Sequence, residues 1–378
     1  MNAFILLERT QYHKSILLKV YKTSLCSPRM LTSKQINELK EHLERSQNPL
    51  FLYDNDADGL CSYVLLRRWL GRGKGVAVRS YPGLDAGYAK RAVEFGADAV
   101  FVLDKPVLSE AFLNELDLLN LPCICIDHHD VEQNYGKKSK NFFMYNPSKN
   151  KGKNKSFEPV TFLAYALTQK KEDIWIALMG CIADHHLPSF AKEFSEQYPE
   201  LWGAVKEPFD AYYRTELGKI AQALGFGLKD SISHVVALQN FLIACKHPSD
   251  VFSEEQRSWI HGETYKIIKE RYDRLIMEAE KEVSENIIFF TYAGETSMSA
   301  SIANYLCYHY PKRVVAVAYM KGEISNISLR GKGIRTILEK VLKKFPEASG
   351  GGHADAVGAR VKTNELAHFR EALEKEII

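Results

Sequence analysis

The sequence predicts an α/β chain: a doubly wound parallel sheet, then a helical segment, then a smaller C-terminal α/β domain. Three observations carry this reading. Three short apolar runs, Phe51-Leu52-Tyr53, Ala99-Val100-Phe101-Val102-Leu103 and Ile124-Cys125-Ile126, read as strands buried on both faces, the pattern of a parallel sheet. Helical patterns separate them over Leu60–Leu70, Ala86–Phe95 and Ser109–Leu119, and such alternation implies βαβ units. Each run also leads straight into aspartate: Asp54-Asn55-Asp56-Ala57-Asp58-Gly59, Asp104 and Asp127-His128-His129. Ligands of open α/β sheets bind beyond the carboxyl ends of the strands. At least five carboxylates and two imidazoles are therefore expected at one sheet edge. Charges so close repel one another strongly, and bound divalent cations are the simplest remedy. The pattern predicts a metal-dependent hydrolase.

The remaining elements follow in order. Leu31-Thr32-Ser33 opens a helical pattern through Ser46, ahead of the first strand. Residues 1–30 read as an N-terminal extension of unassigned role, since Ala3–Leu7 is too short for a signal-peptide core. Residues 31–187 read as the catalytic domain, closed by a mostly apolar helix, Glu172–Ala183, that ends at Asp184. Residues 188–285 read as a helical insertion or connector, with helices over Phe209–Leu224, Ile232–Cys245 and Glu254–Val283. Residues 286–378 read as a compact second α/β domain. Its expected order is strand Ile287–Tyr292, helix Ala300–His309, strands Arg313–Met320 and Glu323–Arg330, and helix Gly333–Phe345. The run Ser349-Gly350-Gly351-Gly352-His353, a strand near Ala356–Val361 and a helix from Asn364 complete it.

Bulk properties bound the function. A chain of 378 residues has room for two or three domains, and 46% hydrophobic with 26% charged residues is an ordinary globular composition. The net charge of +3 does not by itself argue for nucleic acid. Local basic surface is concentrated in Lys137–Lys155, which reads as a solvated loop or, alternatively, as a contact for a phosphate backbone. Seven cysteines, scattered and odd in number, read as buried free thiols of a reducing compartment, hence a cytoplasmic protein. No apolar stretch approaches the roughly 18 residues that span a bilayer, so no membrane association is expected.

Asp54, Asp56 and Asp58 alternate at period two, which puts them on one side of an extended segment. Hard oxygen ligands with imidazole suit manganese first and magnesium second. A calcium loop fits poorly: an EF-hand needs glutamate at its twelfth position, which counted from Asp54 is Leu65. Asp104 is placed to bridge two ions, and Asp184, after Met179-Gly180-Cys181-Ile182-Ala183, would close the set. A single aspartate at a strand end is usually a turn or cap residue; three such ends and a His-His pair make chance a poor explanation.

These residues, in this order, resemble the four motifs of the DHH phosphoesterases, and most nearly the archaeal RecJ-like exonucleases: Asp54-x-Asp56-x-Asp58-Gly59, Asp104, Asp127-His128-His129 and Gly180-Cys181-Ile182-Ala183-Asp184. Gly350-Gly351-Gly352-His353 with Asp355-Ala356-Val357-Gly358-Ala359 resembles the signature of the DHH-associated C-terminal domain, and Ile327-Ser328-Leu329-Arg330 the strand that supplies its phosphate-binding arginine. The resemblance implies Asp56, Asp58, Asp104, His128 and Asp184 as ligands of two divalent ions, manganese preferred. It implies His129 at the scissile phosphate, and Arg330, Gly351, Gly352 and His353 in substrate binding. Two such ions roughly 3.5–4 Å apart would activate water for in-line attack on phosphorus. The chain departs from the pattern at Leu52, where many members carry a histidine; Asp54 is the candidate replacement ligand. His185-His186 read as polar loop neighbours.

The implied activity is metal-dependent phosphodiester hydrolysis, as an exonuclease on single-stranded DNA or RNA. The alternative is cleavage of short oligoribonucleotides or a cyclic dinucleotide, as in bacterial oligoribonucleases of the NrnA kind. A replication-associated scaffold, with a replication or helicase partner, is the third reading and would be expected to have lost ligands.

Overall fold

The computed structural model describes residues 31–80, 83–131, 139, 141–152, 155–252, 263–352 and 354–377. The N-terminal extension, Tyr81, His353 and, within Lys137–Lys155, residues 137, 138, 140, 153 and 154 lie outside them.

Five parallel strands form the first sheet: β1 Pro49–Asp54, β2 Lys74–Val78, β3 Ala99–Leu103, β4 Cys123–Ile126 and β5 Phe142–Tyr145, in the spatial order β2-β1-β3-β4-β5. The three runs read from sequence are its adjacent centre. Tyr53 lies opposite Leu103, and Leu103 opposite Ile126. The next residue of each strand is Asp54, Asp104 or Asp127, so this register sets the three acids in one row. The strand order reverses between β1 and β3, the position where a doubly wound sheet opens its crevice.

Successive side chains of these strands enter two cores, as the pleat requires. Phe51, Tyr53, Phe101, Leu103, Ile124 and Ile126 face α2 Ala57–Leu70, behind which lie α5 Val160–Thr168 and α6 Ile174–Ala183. Leu50, Leu52, Val100 and Val102 face α3 Gly87–Glu94 and α4 Glu110–Leu118. α2 is sealed between the sheet and two helices, so every residue from Ala57 to Leu66 is buried. Gly71, left-handed at φ 71°, ends it. The preceding helix, α1 Ser33–Arg45, begins with a capping box formed by Thr32 and Gln35.

The helical segment comprises α7 Ala191–Gln197, α8 Pro199–Trp202, α9 Pro208–Arg214, α10 Glu216–Gly227, α11 Ile232–Ala244 and α12 Glu263–Ala279. It belongs to both halves. Leu217, Ile220, Leu224, Leu238 and Leu242 enter the first core. Phe226 and the α12 residues Tyr272, Leu275, Ile276 and Ala279 enter a core of the second sheet.

That second sheet contains β6 Ile287–Ala293, β7 Val314–Lys321, β8 Ile324–Arg330, β9 Ser349–Gly352 and β10 Ala356–Lys362, ordered β6-β7-β8-β10-β9. Only β6 and β7 pair in parallel. α13 Ser299–His309 covers one face, and α14 Ile334–Leu342 with α15 Leu366–Ile377 the other.

Two points of the sequence reading are corrected: β2 and β5 were not among the expected strands, and the expected helix Phe209–Leu224 is two, α9 and α10, parted at Thr215. The glycine run is an edge strand paired with β10. The connector helix is described over Glu263–Ala279, and Glu254 lies outside the described residues. Among the described residues six cysteines are free, five of them buried. No described helix is long and apolar enough to cross a membrane.

Candidate metal centre

The crevice is built from strand ends and helix starts. Asp56 caps α2: its Oδ1 accepts from Gly59 N at 2.9 Å. Gly59 is required there, because a Cβ would sit 2.3 Å from the Asp54 carbonyl oxygen. Asp58, buried in the first turn of α2, accepts from Val160 N at 2.8 Å and Thr161 N at 2.7 Å. The start of α5 therefore fixes both Asp58 oxygens. Asp104 is buried and left-handed at φ 58°, a conformation aspartate tolerates better than most residues. Its Oδ1 is buried against the imidazoles of His128 and His129.

His128 supplies the test of fit to a metal. Its Nδ1 donates to the Phe157 carbonyl at 3.1 Å, which fixes the tautomer and directs the Nε2 lone pair elsewhere. Nε2 lies 3.3 Å from Asp104 Oδ1 and 3.8 Å from Asp184 Oδ2. A lone pair facing two carboxylates needs a cation at that point, either a proton or a metal. Burial pulls the His128 pKa down, yet Asp104 and Asp184 carry it well above the ordinary value. Asp58, His128 and Asp184 each present a ligand atom within 4.8 Å of the others, and so do Asp104, His128 and His129. Oxygen and imidazole donors at this spacing fit a divalent cation of the manganese or magnesium class.

The acids show the same strain. Burial, then the charges of Asp54 and Asp58, pushes Asp56 up to about 7. Burial raises Asp184 to about 6 against the pull of His128. Burial and the charges of Asp58 and Asp56 hold Asp104 well above the carboxylate range. Asp56 and Asp184 line the crevice wall, reached by solvent but ringed by protein.

Not every expected ligand joins the two donor groups. Asp54 Oδ1 accepts from Lys105 Nζ at 2.8 Å and from Asn55 N at 3.0 Å, and it stands outside both. Asp56 also stands outside them. Asp127 orients rather than ligates: it accepts from His129 N at 3.1 Å and pairs with His129 Nδ1 at 2.9 Å. Asn146 Nδ2 donates to Asp127 and to the His129 carbonyl, each at 3.0 Å. Sequence reasoning missed Asn146; the Asn146-Pro147 turn at the end of β5 was the available signal.

His185 and His186 are half-buried rather than polar loop residues. His185 stacks on Phe209 with centroids 4.4 Å apart, and His186 meets Phe162 edge-on at 5.7 Å. Burial lowers them to about 3 and about 4 respectively.

The C-terminal domain presents Arg330, at the end of β8, toward the same crevice, close enough to Asp184 for their charges to interact. Its Nε donates to Asn304 Oδ1 at 2.5 Å and its Nη1 to the Leu329 carbonyl at 2.8 Å. Gly351 has nothing within 4 Å of where a Cβ would stand. Gly352, at φ 142°, would place one 2.6 Å from the Ala356 carbonyl oxygen. Arg335 pairs with Glu339 on its own helix at 3.0 Å.

Comparison with known proteins agrees with the C-terminal reading and with the fold. Residues 284–378 match the family model of the DHHA1 domain, so the C-terminal domain is a DHHA1 domain. No curated protein matches the chain by sequence. Solved structures that share its fold include the following three. A DHH-domain protein described as a member of the s1p family of ribosomal proteins has a TM-score of 0.67 at 15% identity, covering 98% of each chain. Exonuclease RecJ bound to manganese has a TM-score of 0.57 at 16% identity, over 91% of this chain and 94% of that one. RecJ from Thermus thermophilus in complex with Mn2+ has a TM-score of 0.54 at 17% identity, covering 92% of this chain. The match spans about half of that longer protein, 55% of its length. The whole chain thus has the architecture of the DHH proteins, with a DHHA1 domain as its C-terminal part.

Proposed function

We propose that this chain is a metal-dependent phosphodiesterase that shortens single-stranded DNA or RNA as an exonuclease. One observation carries the reading: Asp58, Asp104, His128 and Asp184 converge in the switch-point crevice, and the arginine of a DHHA1 domain faces them from the other side. A bound divalent cation, manganese preferred, would polarise the phosphoryl oxygens and acidify an attacking water. The chain's own residues do the rest. Asp58 and His128 are locked by backbone partners, so they are preorganised for the cation. His129, steered by Asp127 through Nδ1, is the group that meets the scissile phosphate in this reading. Arg330 holds the neighbouring phosphate, and the bare surface at Gly351 admits the substrate backbone beside it. His353 is assigned to the same pocket from its motif alone.

A scaffold that had lost activity would be expected to have lost ligands. Here Asp58, Asp104, His128 and Asp184 are all retained, and the groups behind them, Asn146, Phe157 and the start of α5, support the enzymatic reading.

The test is a digestion panel in manganese on end-labelled single-stranded RNA and DNA of about 20 nucleotides, beside a dinucleotide. Progressive shortening of the long strands is expected, and the label gives the direction. Cleavage confined to the dinucleotide would move the chain to the oligoribonuclease reading. No cleavage of any substrate would sink the enzymatic reading.

A further inference from the structure

We propose that Asn304 and Tyr308, one turn apart on α13, are positioning residues: Asn304 aims the phosphate-binding Arg330, and Tyr308 keys that arginine to the metal side of the crevice. The inference rests on the phosphodiesterase reading above and deepens it by assigning the placement of its arginine.

Asn304 meets Arg330 at the root of the guanidinium. Nε donates to Asn304 Oδ1 at 2.5 Å, and Nη1 donates to the Leu329 carbonyl at 2.8 Å. Among the described residues Nη2 has no hydrogen-bond partner, so that nitrogen is left for a phosphate oxygen. The chemistry of the holder matters. An amide oxygen is neutral, so it fixes the guanidinium without cancelling its charge. A carboxylate in the same place would take the fork as an ion pair and compete with phosphate.

The same helix reaches the metal side through contacts between rings. Ile302, Ala303 and Leu306 of α13 enter the core of the second sheet. Asn304 and Tyr308 are four residues apart, hence neighbours on one helical face. Tyr308 stacks on two residues of α9, Phe209 at 5.5 Å and 19° and Tyr213 at 5.2 Å and 20°. Phe209 stacks in turn on His185 at 4.4 Å, and His185 directly follows the candidate ligand Asp184. Ring contacts therefore run unbroken from the neighbour of Asp184 to the helix that holds Arg330.

Polar groups fix this seam in register. Tyr308 Oη donates to Asp210 Oδ1 at 3.1 Å, and the buried Asp210 also accepts from Lys206 N at 3.2 Å. The Arg214 guanidinium lies 5.6 Å over the Tyr308 ring and pairs with Asp210 at 3.3 Å. Plain packing would need only apolar bulk, whereas stacked rings hold preferred geometries. Two phosphates of one strand, one at the metal and one at Arg330, require a fixed spacing. Misplacing a substrate-holding group by about 1 Å can cost about a hundred-fold.

The test is equilibrium binding to the purified full chain in manganese, read by fluorescence anisotropy. The probe is a fluorescein-labelled single-stranded phosphorothioate oligonucleotide of about 10 nucleotides, which resists cleavage. Arg330→Ala should weaken binding about 10–100-fold, and Asn304→Leu about ten-fold. Added to Arg330→Ala, Asn304→Leu should change affinity less than about two-fold, because it acts through the arginine. Tyr308→Ala should weaken binding about five-fold, and Tyr308→Phe, which keeps the stack, should return to within about two-fold of wild type. Manganese affinity should stay within about two-fold in every folded variant, since none removes a donor. Wild-type binding by Asn304→Leu or by Asn304→Asp overturns the role given to the amide, and so does an undiminished loss in the Arg330→Ala background. Wild-type binding by Tyr308→Ala overturns the keying role; if that variant fails to fold, Tyr308→Leu, which keeps bulk without a ring, decides it. A chain that shows these couplings and cleaves nothing would sink the enzymatic reading and leave this one standing. A chain that cleaves nucleic acid without them would do the reverse, and a wild type that binds no oligonucleotide overturns both.

Discussion

The two sheets of this chain treat their faces and their edges in opposite ways. β1, β3 and β4 are buried on both faces, while β8 and β10 alternate buried and half-exposed residues along their length. A strand buried on both sides can place polar groups only at its ends, so the parallel sheet gathers its acids in one row. The mixed sheet delivers the opposite equipment, a guanidinium at the end of β8 and a bare glycine strand at its edge. One domain therefore has an excess of negative charge that only a cation relieves, and the other offers groups that suit a phosphate. Lesions in the two should fail differently.

The largest effect is expected at Asp104. Asp104→Asn keeps a residue that tolerates the left-handed backbone and removes the central ligand charge. Manganese affinity and turnover should each fall by about a thousand-fold or more. The metal-free thermal midpoint should hold or rise, because a buried acid already pushed toward its neutral form is lost. Dialysis, steady-state kinetics and calorimetry check the three parts. Unchanged manganese affinity would break the division between the domains.

Arg330→Ala attacks the other side. Losing a charged hydrogen-bond donor to phosphate costs roughly 1.5–3 kcal/mol, about 10–100-fold, and should appear as a raised KM on nucleic acid. Manganese affinity should stay level, since Arg330 belongs to neither donor group. A parallel fall in metal affinity would show that the two domains do not divide the work.

What the sequence disclosed follows the same contrast. The central strands were legible because burial on both faces writes a continuous apolar run, and their acids were legible because the register sets the ends level. β2, reading Lys-Gly-Val-Ala-Val, and β5, at the two edges of the sheet, are partly exposed and carry no such run. The fate of Asp54 was hidden for another reason: its partner Lys105 lies 51 residues away and meets it only once β1 and β3 pair. His185 and His186 looked like loop polars, and only the packing of Phe209 and Phe162 against them shows their burial. The glycine run gave its composition but not its strand pairing, which depends on the antiparallel approach of β10.

A smaller effect is expected from pH on the metal-free chain. Asp56 and Asp184 have folded values of about 7 and about 6, above the ordinary carboxylate value of 3.8. Groups raised on folding bind more protons in the native state, so their contribution to stability is present below about pH 4 and is lost as pH rises toward 7. Denaturation in chelator should therefore show these sites weakening the fold between about pH 5 and 7.5, and divalent cation should cancel the loss. A metal-free chain more stable at pH 7.5 than at 5, with the same trend in Asp56→Asn, would contradict this picture of the acidic row.

The smallest and sharpest contrast lies within three adjacent glycines. A Cβ at Gly350 would stand 2.7 Å from the Gly358 carbonyl oxygen, and at Gly352 the φ of 142° is itself hostile to a side chain. Substitution at either should cost stability, by about 1–3 kcal/mol at Gly352. Gly351 meets nothing within 4 Å. Gly351→Ala should therefore change unfolding free energy by less than about 0.5 kcal/mol, because an open site adds neither clash nor cavity. If the nucleic-acid backbone passes over this strand, the same methyl should still raise KM by up to about ten-fold, equivalent to 1.4 kcal/mol. Equal KM for Gly351→Ala and wild type would remove β9 from the substrate path and leave Arg330 as the contact that the C-terminal domain supplies.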